Sequence, residues 1–136
     1  MTGFAKQAVD SALPSSAFTR NARASFMGSK IIQSIGIDTG RLDAVHNAMW
    51  LRLVDESAHT AKPIDECDRI AAHIVAAVRI AEQASASGGP KAAIAAVERE
   101  SGRSIDPEIA QNFRRLASSP IFWMAMDSAG EAQPGK

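Results

Sequence analysis

The sequence has one cysteine, no tyrosine and few other aromatic residues, and these shortages narrow the possible structures. Cys67 has no second cysteine to pair with inside the chain, and its place in an apolar helical stripe favours a buried thiol over a reactive one. Pleated sheets recruit β-branched and aromatic side chains, and aromatic residues are scarce here, whereas alanine is abundant. The composition therefore predicts an all-helical protein.

An excess of charge of either sign is also absent. Fifteen basic and fifteen acidic side chains cancel. The chain therefore lacks the net positive charge that a general nucleic-acid binder, or a protein that binds anionic membranes, would need. The longest apolar stretch, Ile70 to Ala81, is interrupted by His73 and Arg79 and falls short of the roughly 18 residues of a membrane span. The first residues, Met1 to Leu13, lack the apolar centre and cleavage site of a secretory signal, which predicts a cytoplasmic protein.

The 136 residues suit one domain, because two independent cores would each bury too little apolar surface. We expect residues 1–127 to form this domain. Residues 128–136 contain two glycines, one proline and no large apolar side chain. Such a segment cannot offset the entropy cost of ordering, so it is predicted to be a flexible tail.

Apolar residues recur at three- and four-residue steps along most of the chain, which predicts consecutive amphipathic helices. The first ends at Gly36, and Asp38 or Thr39 caps the second. Pro63 is expected to open the longest helix, and the stretch from Ser85 to Pro90 to break it before a short helix that Gly102 terminates. The inner stripes are predicted at Ala24, Met27, Ile31 and Ile35, at Leu42, Val45, Met49 and Leu53, and at Cys67, Ile70, Ile74, Val78 and Ala81.

The clearest local signal is Ile105-Asp106-Pro107-Glu108. Asp106 can accept hydrogen bonds from exposed backbone amides, Pro107 suits the first helical position, and Glu108 complements the positive helix end. A helix is therefore expected to begin at Pro107, with Ile109, Phe113 and Leu116 on its inner side, and Pro120 to begin a final turn.

No complete catalytic or metal-binding set emerges from the spacing. His46, His59 and His73 are too far apart in sequence to form a local chelating pair, although Asp43 and His46 share a helix face. For His73 we expect a neutral imidazole with one hydrogen bond. The carboxylates of Asp65, Glu66 and Asp68 can complement a helix dipole or hold a hard cation, and we favour the role with the helix dipole. We therefore assign no catalytic, cofactor or metal residue.

Large apolar residues are densest near the C-terminus, in Phe122, Trp123, Met124 and Met126. This cluster can cap the core or form an adhesive patch. Just before it, Arg114 and Arg115 lie outside the apolar stripe and can bind phosphate or a carboxylate, or remain solvated. These six residues are the candidate interaction site.

The run from Arg99 through Gly102 and Asp106-Pro107 to Ile109, followed by Phe113 and Phe122-Trp123, resembles the C-terminal end of HD-GYP domains, a branch of the HD phosphohydrolases. Upstream, Met27-Gly28-Ser29-Lys30-Ile31-Ile32 looks like the helix carrying the family's His-Pro element. Asp68-Arg69-Ile70-Ala71-Ala72 looks like the start of its later core helix. The resemblance implies a compact HD-like domain of six or seven helices.

That family cleaves cyclic dinucleotides with two or three metal ions, held by His and Asp, which supply an activated water. The matching positions here carry Ala48 and Met49 in place of paired histidines and Val75 in place of an aspartate. The chain also has no His-Asp dyad and no Gly-Tyr-Pro element. The resemblance therefore implies a shortened, degenerate domain that keeps the shape and loses the reaction.

Three functional hypotheses follow. The first is a non-catalytic regulatory module in bacterial signalling that binds a protein or pairs with itself as a dimer. The second is a divergent metal-dependent phosphohydrolase that uses the remaining histidines and carboxylates. The third is a sensor of a small anionic ligand, with arginines facing the place where the family has its active site.

Overall fold

Residues 21–55 and 61–131 are described by a computed structural model of the chain. These two segments form five α-helices and contain no strand, only an isolated bridge between Ser101 and Ile105. The all-helical class is therefore confirmed. The helices are α1 over 21–34, α2 (Thr39–Val54), α3 (Glu66–Arg99), α4 (Pro107–Ala117) and α5 (Pro120–Glu131).

Aspartates begin three of the helices. The side chains of Asp38, Asp65 and Asp106 accept hydrogen bonds from backbone amides of the first turns of α2, α3 and α4, at 3.1, 2.8 and 2.8 Å. Free amides at a helix start favour such acceptors. The expected caps at Asp38 and Asp106 are confirmed. The expected start of α3 at Pro63 is wrong, because the cap is Asp65 and the helix begins at Glu66.

The break expected between Ser85 and Pro90 is a kink within α3. Gly89 has φ 76° and ψ −169°, a left-handed conformation that a residue without Cβ adopts at little cost. Pro90 then occupies the first position of the second arm, where its missing amide hydrogen is no loss. The helical backbone is therefore interrupted at Gly89, within the expected break, and α3 consists of two arms that meet at a kink. With α3 counted as one helix, the described residues give five helices rather than six or seven.

The core lies where α1, α2 and α3 pack together and extends to α4. Gly28 of α1 is buried, and a Cβ added there would overlap the sulfur of Met49. The glycine therefore allows α1 and α2 to approach closely. The fully buried larger side chains include Met27, Ile31, Ile32, Val45, Met49, Ile74, Val78, Val97, Ile105, Phe113 and Met126.

The first and last described helices are tied to α3 by Arg23. Its guanidinium lies 3.1 Å from the carboxylate of Glu82 and 2.6 Å from that of Asp127. Asp127 is thus held in place, and α5 continues beyond it to Glu131. The predicted start of a flexible tail at residue 128 falls inside this helix, while residues 132–136 lie outside the described residues.

Across the described ranges, no helix combines the length and hydrophobicity required to cross a bilayer.

Candidate interaction surface

The predicted C-terminal cluster is divided between core and surface. Phe122 is 7% exposed and Met126 is fully buried. The ring of Phe122 meets Phe113 and Trp123 edge to face, with centroids 6.4 and 5.3 Å apart, an arrangement that aromatic quadrupoles favour. Phe122 and Met126 therefore stabilise the fold and are not available to a partner.

Trp123 and Met124 have different surroundings. The indole nitrogen of Trp123 donates a 2.8 Å hydrogen bond to the carbonyl of Ala117, which fixes the half-buried ring across the α4–α5 turn. Met124 is 67% exposed, as is its neighbour Ile121 at 75%. We call Ile121 and Met124 the outer face of α5. Of the predicted cluster, Met124 belongs to this surface.

Arg114 and Arg115 do not converge on a shared anion site. The guanidinium of Arg114 lies 3.2 Å from the carboxylate of Glu98, and both side chains are well exposed. Arg115 donates to the side-chain oxygen of Asn112 at 2.9 Å, and the amide nitrogen of Asn112 donates to the backbone carbonyl of Glu108. Arg114 thus links α4 to α3, Arg115 contacts its own helix, and their proposed role with a partner stays a prediction.

The two described histidines lie apart from each other. His46 is half-buried on α2 and makes no hydrogen bond with Asp43 in the described structure. His73 on α3 has a buried Nδ1 that lacks the expected hydrogen-bond partner among the described residues. Burial, with the nearby charge of Arg69, lowers the pKa of His73, against the opposing effect of Asp106 and Glu66. His59 lies outside the described residues.

The acidic group at the start of α3 is bound to arginines. Glu66 accepts two hydrogen bonds from Arg69, at 3.0 and 2.7 Å, which lower the pKa of Glu66. Asp68 accepts two from Arg52, both at 2.9 Å. Those bonds hold the pKa of Asp68 below its ordinary value despite partial desolvation. Together with the cap at Asp65, the three carboxylates thus have structural partners, and the pairing of Glu66 and Asp68 with arginines was not part of the sequence prediction.

The positions where the resemblance implies metal ligands hold apolar side chains. Met49 and Val75 are buried in the core, and Ala48 packs beside them. Alkyl and thioether groups do not ligate the metals that His and Asp bind in hydrolases. Within residues 21–55 and 61–131, no three His, Cys, Asp or Glu side chains are placed to share a metal ion. These residues do not fit the metal cluster of the HD-GYP family.

A groove of about 400 Å³ runs between α2 and the segment that leads into α3. Its walls are mainly apolar, and the Arg52–Asp68 ion pair lies at its base, with the two side chains only 5% and 17% exposed. The groove exists because small residues on α2 leave space beside the start of α3. We call this the α2 groove, and its lining includes Ala44, Ala48, Leu51, Ile64 and Cys67.

Large apolar side chains project into solvent beside this groove. Trp50 is 46% exposed, Leu51 60% and Val54 44%, and Ile64 across the groove is 87% exposed. We call these four residues the outer face of α2. Sequence reasoning missed this surface, although a signal was present: Trp50, Leu51 and Val54 lie off the inner stripe of Val45, Met49 and Leu53.

Cys67 lies at the edge between the groove and the core. It is a free thiol, half-buried rather than fully buried as expected. Its neighbours Ala44 and Ala48 are too small to cover it from the groove side. The cysteine therefore forms part of the apolar groove wall.

Comparisons of this chain with protein-family models, with characterised proteins and with solved structures give no significant match. The interpretation of the surface consequently depends on the residues and contacts described above.

Proposed function

We propose that this domain is a non-catalytic regulatory module, derived from an HD-GYP-like fold in bacterial signalling, that binds a protein through the outer face of α2 and the α2 groove. The observation that carries the proposal is a mainly apolar groove that is lined by Leu51 and Ile64, which are 60% and 87% exposed, with Trp50 and Val54 also exposed on the same helix as Leu51. Single exposed apolar residues are common, but a contiguous group beside a concavity is typical of interaction sites.

The chemistry of the groove suits an amphipathic helix or an extended apolar segment. Leu51 and Ile64 form its rims, so an incoming apolar side chain would contact carbon on both sides. Recognition of this kind depends on a few side chains that anchor in a groove. Lys62 and Asp65 also line the groove and can select the charges that flank such a segment.

Two features support descent from the HD-GYP fold. The three segments that carry the resemblance lie on α1, at the start of α3 and at the start of α4. The helices to which the family's metal ligands would belong pack here through Gly28, Met49 and Val75. Such replacements remove the charges that hold metals while preserving apolar packing, as expected of a fold that has exchanged hydrolysis for binding.

The proposal also includes a cytosolic location, where the single thiol of Cys67 would remain reduced.

Quantitative capture from a native cell extract tests the proposal. The bait is the whole chain, compared with Leu51→Glu on α2 and Met124→Glu on α5, whose wild-type side chains are 60% and 67% exposed. A captured protein is identified, purified and titrated against each bait. We expect saturable binding that weakens at least tenfold with Leu51→Glu and is unchanged with Met124→Glu.

Two results would contradict the proposal. The first is a purified partner that binds wild type and Leu51→Glu equally, because the α2 surface would then not be the contact. The second is hydrolysis of a cyclic dinucleotide, in the presence of added Mn²⁺, at a rate that scales with the concentration of pure protein. That result would establish the divergent phosphohydrolase instead.

A further inference from the structure

A cluster of charged side chains joins α3 to the start of α4. The guanidinium of Arg69 donates from Nε and Nη2 to Glu66, and its Nη1 lies 3.6 Å from Oδ2 of Asp106. The other carboxylate oxygen of Asp106, Oδ1, accepts the 2.8 Å hydrogen bond from the amide of Glu108 that caps α4. Oδ2 therefore faces a cation at a distance beyond a hydrogen bond.

His73 lies one helical turn beyond Arg69 on the same side of α3. Its Nδ1 is buried and has no hydrogen-bond partner among the described residues. A buried N–H without an acceptor is costly, so this arrangement favours a neutral ring that carries its proton on Nε2. A nitrogen without a partner on α3 thus lies within a turn of a loosely held acceptor oxygen at the start of α4.

We propose that His73 and Asp106 form a proton-operated switch between α3 and α4. When Nδ1 of His73 takes up a proton from solvent, it becomes a donor, and Oδ2 of Asp106 is the acceptor for it. The imidazolium then replaces Arg69 at that oxygen, while Oδ1 continues to cap α4. The step moves one proton and exchanges one cation for another at Asp106.

The charges around His73 favour Asp106 as the acceptor. Within the part of the chain that the structure describes, Glu66 and Arg69 on α3 and Asp106 before α4 are the charges that act on the imidazole. Both oxygens of Glu66 already accept hydrogen bonds from Arg69, at 3.0 and 2.7 Å. The 3.6 Å contact of Arg69 with Asp106 is weaker, so it is the one that an imidazolium displaces.

The exchange also changes the wall of a neighbouring cavity. A cleft of about 280 Å³ lies where the starts of α3 and α4 meet the turn between α1 and α2, and its lining includes Glu66, Arg69 and Asp106. This space allows the three side chains to reorient while the core stays packed. Burial, ahead of the charge of Arg69, lowers the pKa of His73 against the opposing effect of Asp106. The switch therefore operates below neutral pH and makes the cavity wall more positive there.

Nitrogen-15 NMR of the imidazole rings across a pH titration tests the switch. With Asp106→Asn, His73 should titrate at a lower pH than in wild type, because the carboxylate that accepts from the imidazolium is gone. Asparagine is also a good N-cap residue, so α4 should stay folded. Glu108→Gln is the matched control. It neutralises another carboxylate at the cavity and should leave the titration of His73 unchanged.

A second variant should shift the titration in the opposite direction. Arg69→Gln removes both the competing cation and a repulsive charge, so His73 should titrate at a higher pH than in wild type. The hydrogen bond has its own signal: below the midpoint, wild type should show an Nδ1–H that exchanges slowly with water, and Asp106→Asn should not. Equal midpoints in wild type and Asp106→Asn, or a wild-type Nδ1–H that exchanges freely, would overturn the switch.

Discussion

The outer faces of α2 and α5 both expose large apolar residues, but the structure behind them differs. Trp50, Leu51 and Val54 lie beside a groove whose base is the Arg52–Asp68 ion pair. Ile121 and Met124 lie on a helix whose other side is fixed by a cluster of aromatic rings.

The difference teaches that local density of apolar residues does not locate a binding surface. The densest apolar run in the sequence supplies core residues on α5, and only its outward positions remain exposed. The α2 residues are spaced more widely, yet one of them, Leu51, lines a concavity together with Ile64. A surface that recruits a partner needs both exposed apolar area and a shape to fill.

The largest expected loss of stability concerns Phe122, which packs on the inner side of α5. Phe122→Ala should lower the free energy of unfolding by about 3–5 kcal/mol, because it leaves a cavity between Phe113 and Trp123. Urea denaturation followed by circular dichroism measures this change. Met124→Ala, two positions along but exposed, should stay within about 0.5 kcal/mol of wild type. Similar losses in the two variants would break the distinction between core and surface on α5.

A slightly smaller loss of stability is expected when the Arg52–Asp68 ion pair at the base of the α2 groove is broken. Arg52→Ala should cost about 3 kcal/mol in unfolding free energy, because the carboxylate of Asp68 remains mostly buried without its cation. The matched control is Arg69→Ala, which breaks the more exposed pairs with Glu66 and Asp106 and should lower the free energy of unfolding much less than Arg52→Ala does. If both substitutions lower the free energy of unfolding equally, the burial of the Arg52–Asp68 ion pair does not add to its effect on stability.

The smallest effect concerns His73, near the junction of α3 with Asp106 at the start of α4. Its pKa is lowered in the folded state, so the folded chain favours the neutral imidazole. The stabilising contribution is complete above the unfolded pKa and is lost as the pH falls below about 6.5. Asp68 and Glu66 have lowered pKa values and affect stability only at more acidic pH.

Urea midpoints measured between about pH 7 and pH 5 isolate this contribution. Wild type should lose more stability over that range than His73→Gln, which cannot titrate. Equal losses would assign the pH dependence to other groups.

Local features of the fold were predictable because they depend on neighbours in sequence. Asp38 and Asp106 sit just before apolar repeats and cap helices as expected. The interruption of α3 at Gly89 was predictable for the same reason. That its two arms meet at a kink was not predictable in this way, because Gly89 and Pro90 also suit a loop. Only packing of the second arm, through residues such as Ala93 and Val97, turns the predicted break into a kink.

The surface was harder to predict, because exposure depends on which helices happen to cover one another. Phe122 and Trp50 are both large and apolar, yet α4 covers the first while no described helix covers the outer side of the second. The resemblance to HD-GYP domains concerns family membership, and it stays a prediction. In the structure, Met49 and Val75 are packed as core residues.

The double contact of Arg23 has a consequence for chain architecture. By reaching Asp127 at 2.6 Å, it brings the first and last described helices side by side. Its second contact, with Glu82 at 3.1 Å, adds α3 to the same cluster. One guanidinium thus cross-links three helices that are far apart in sequence, so none of the three can separate from the others without breaking a contact of Arg23.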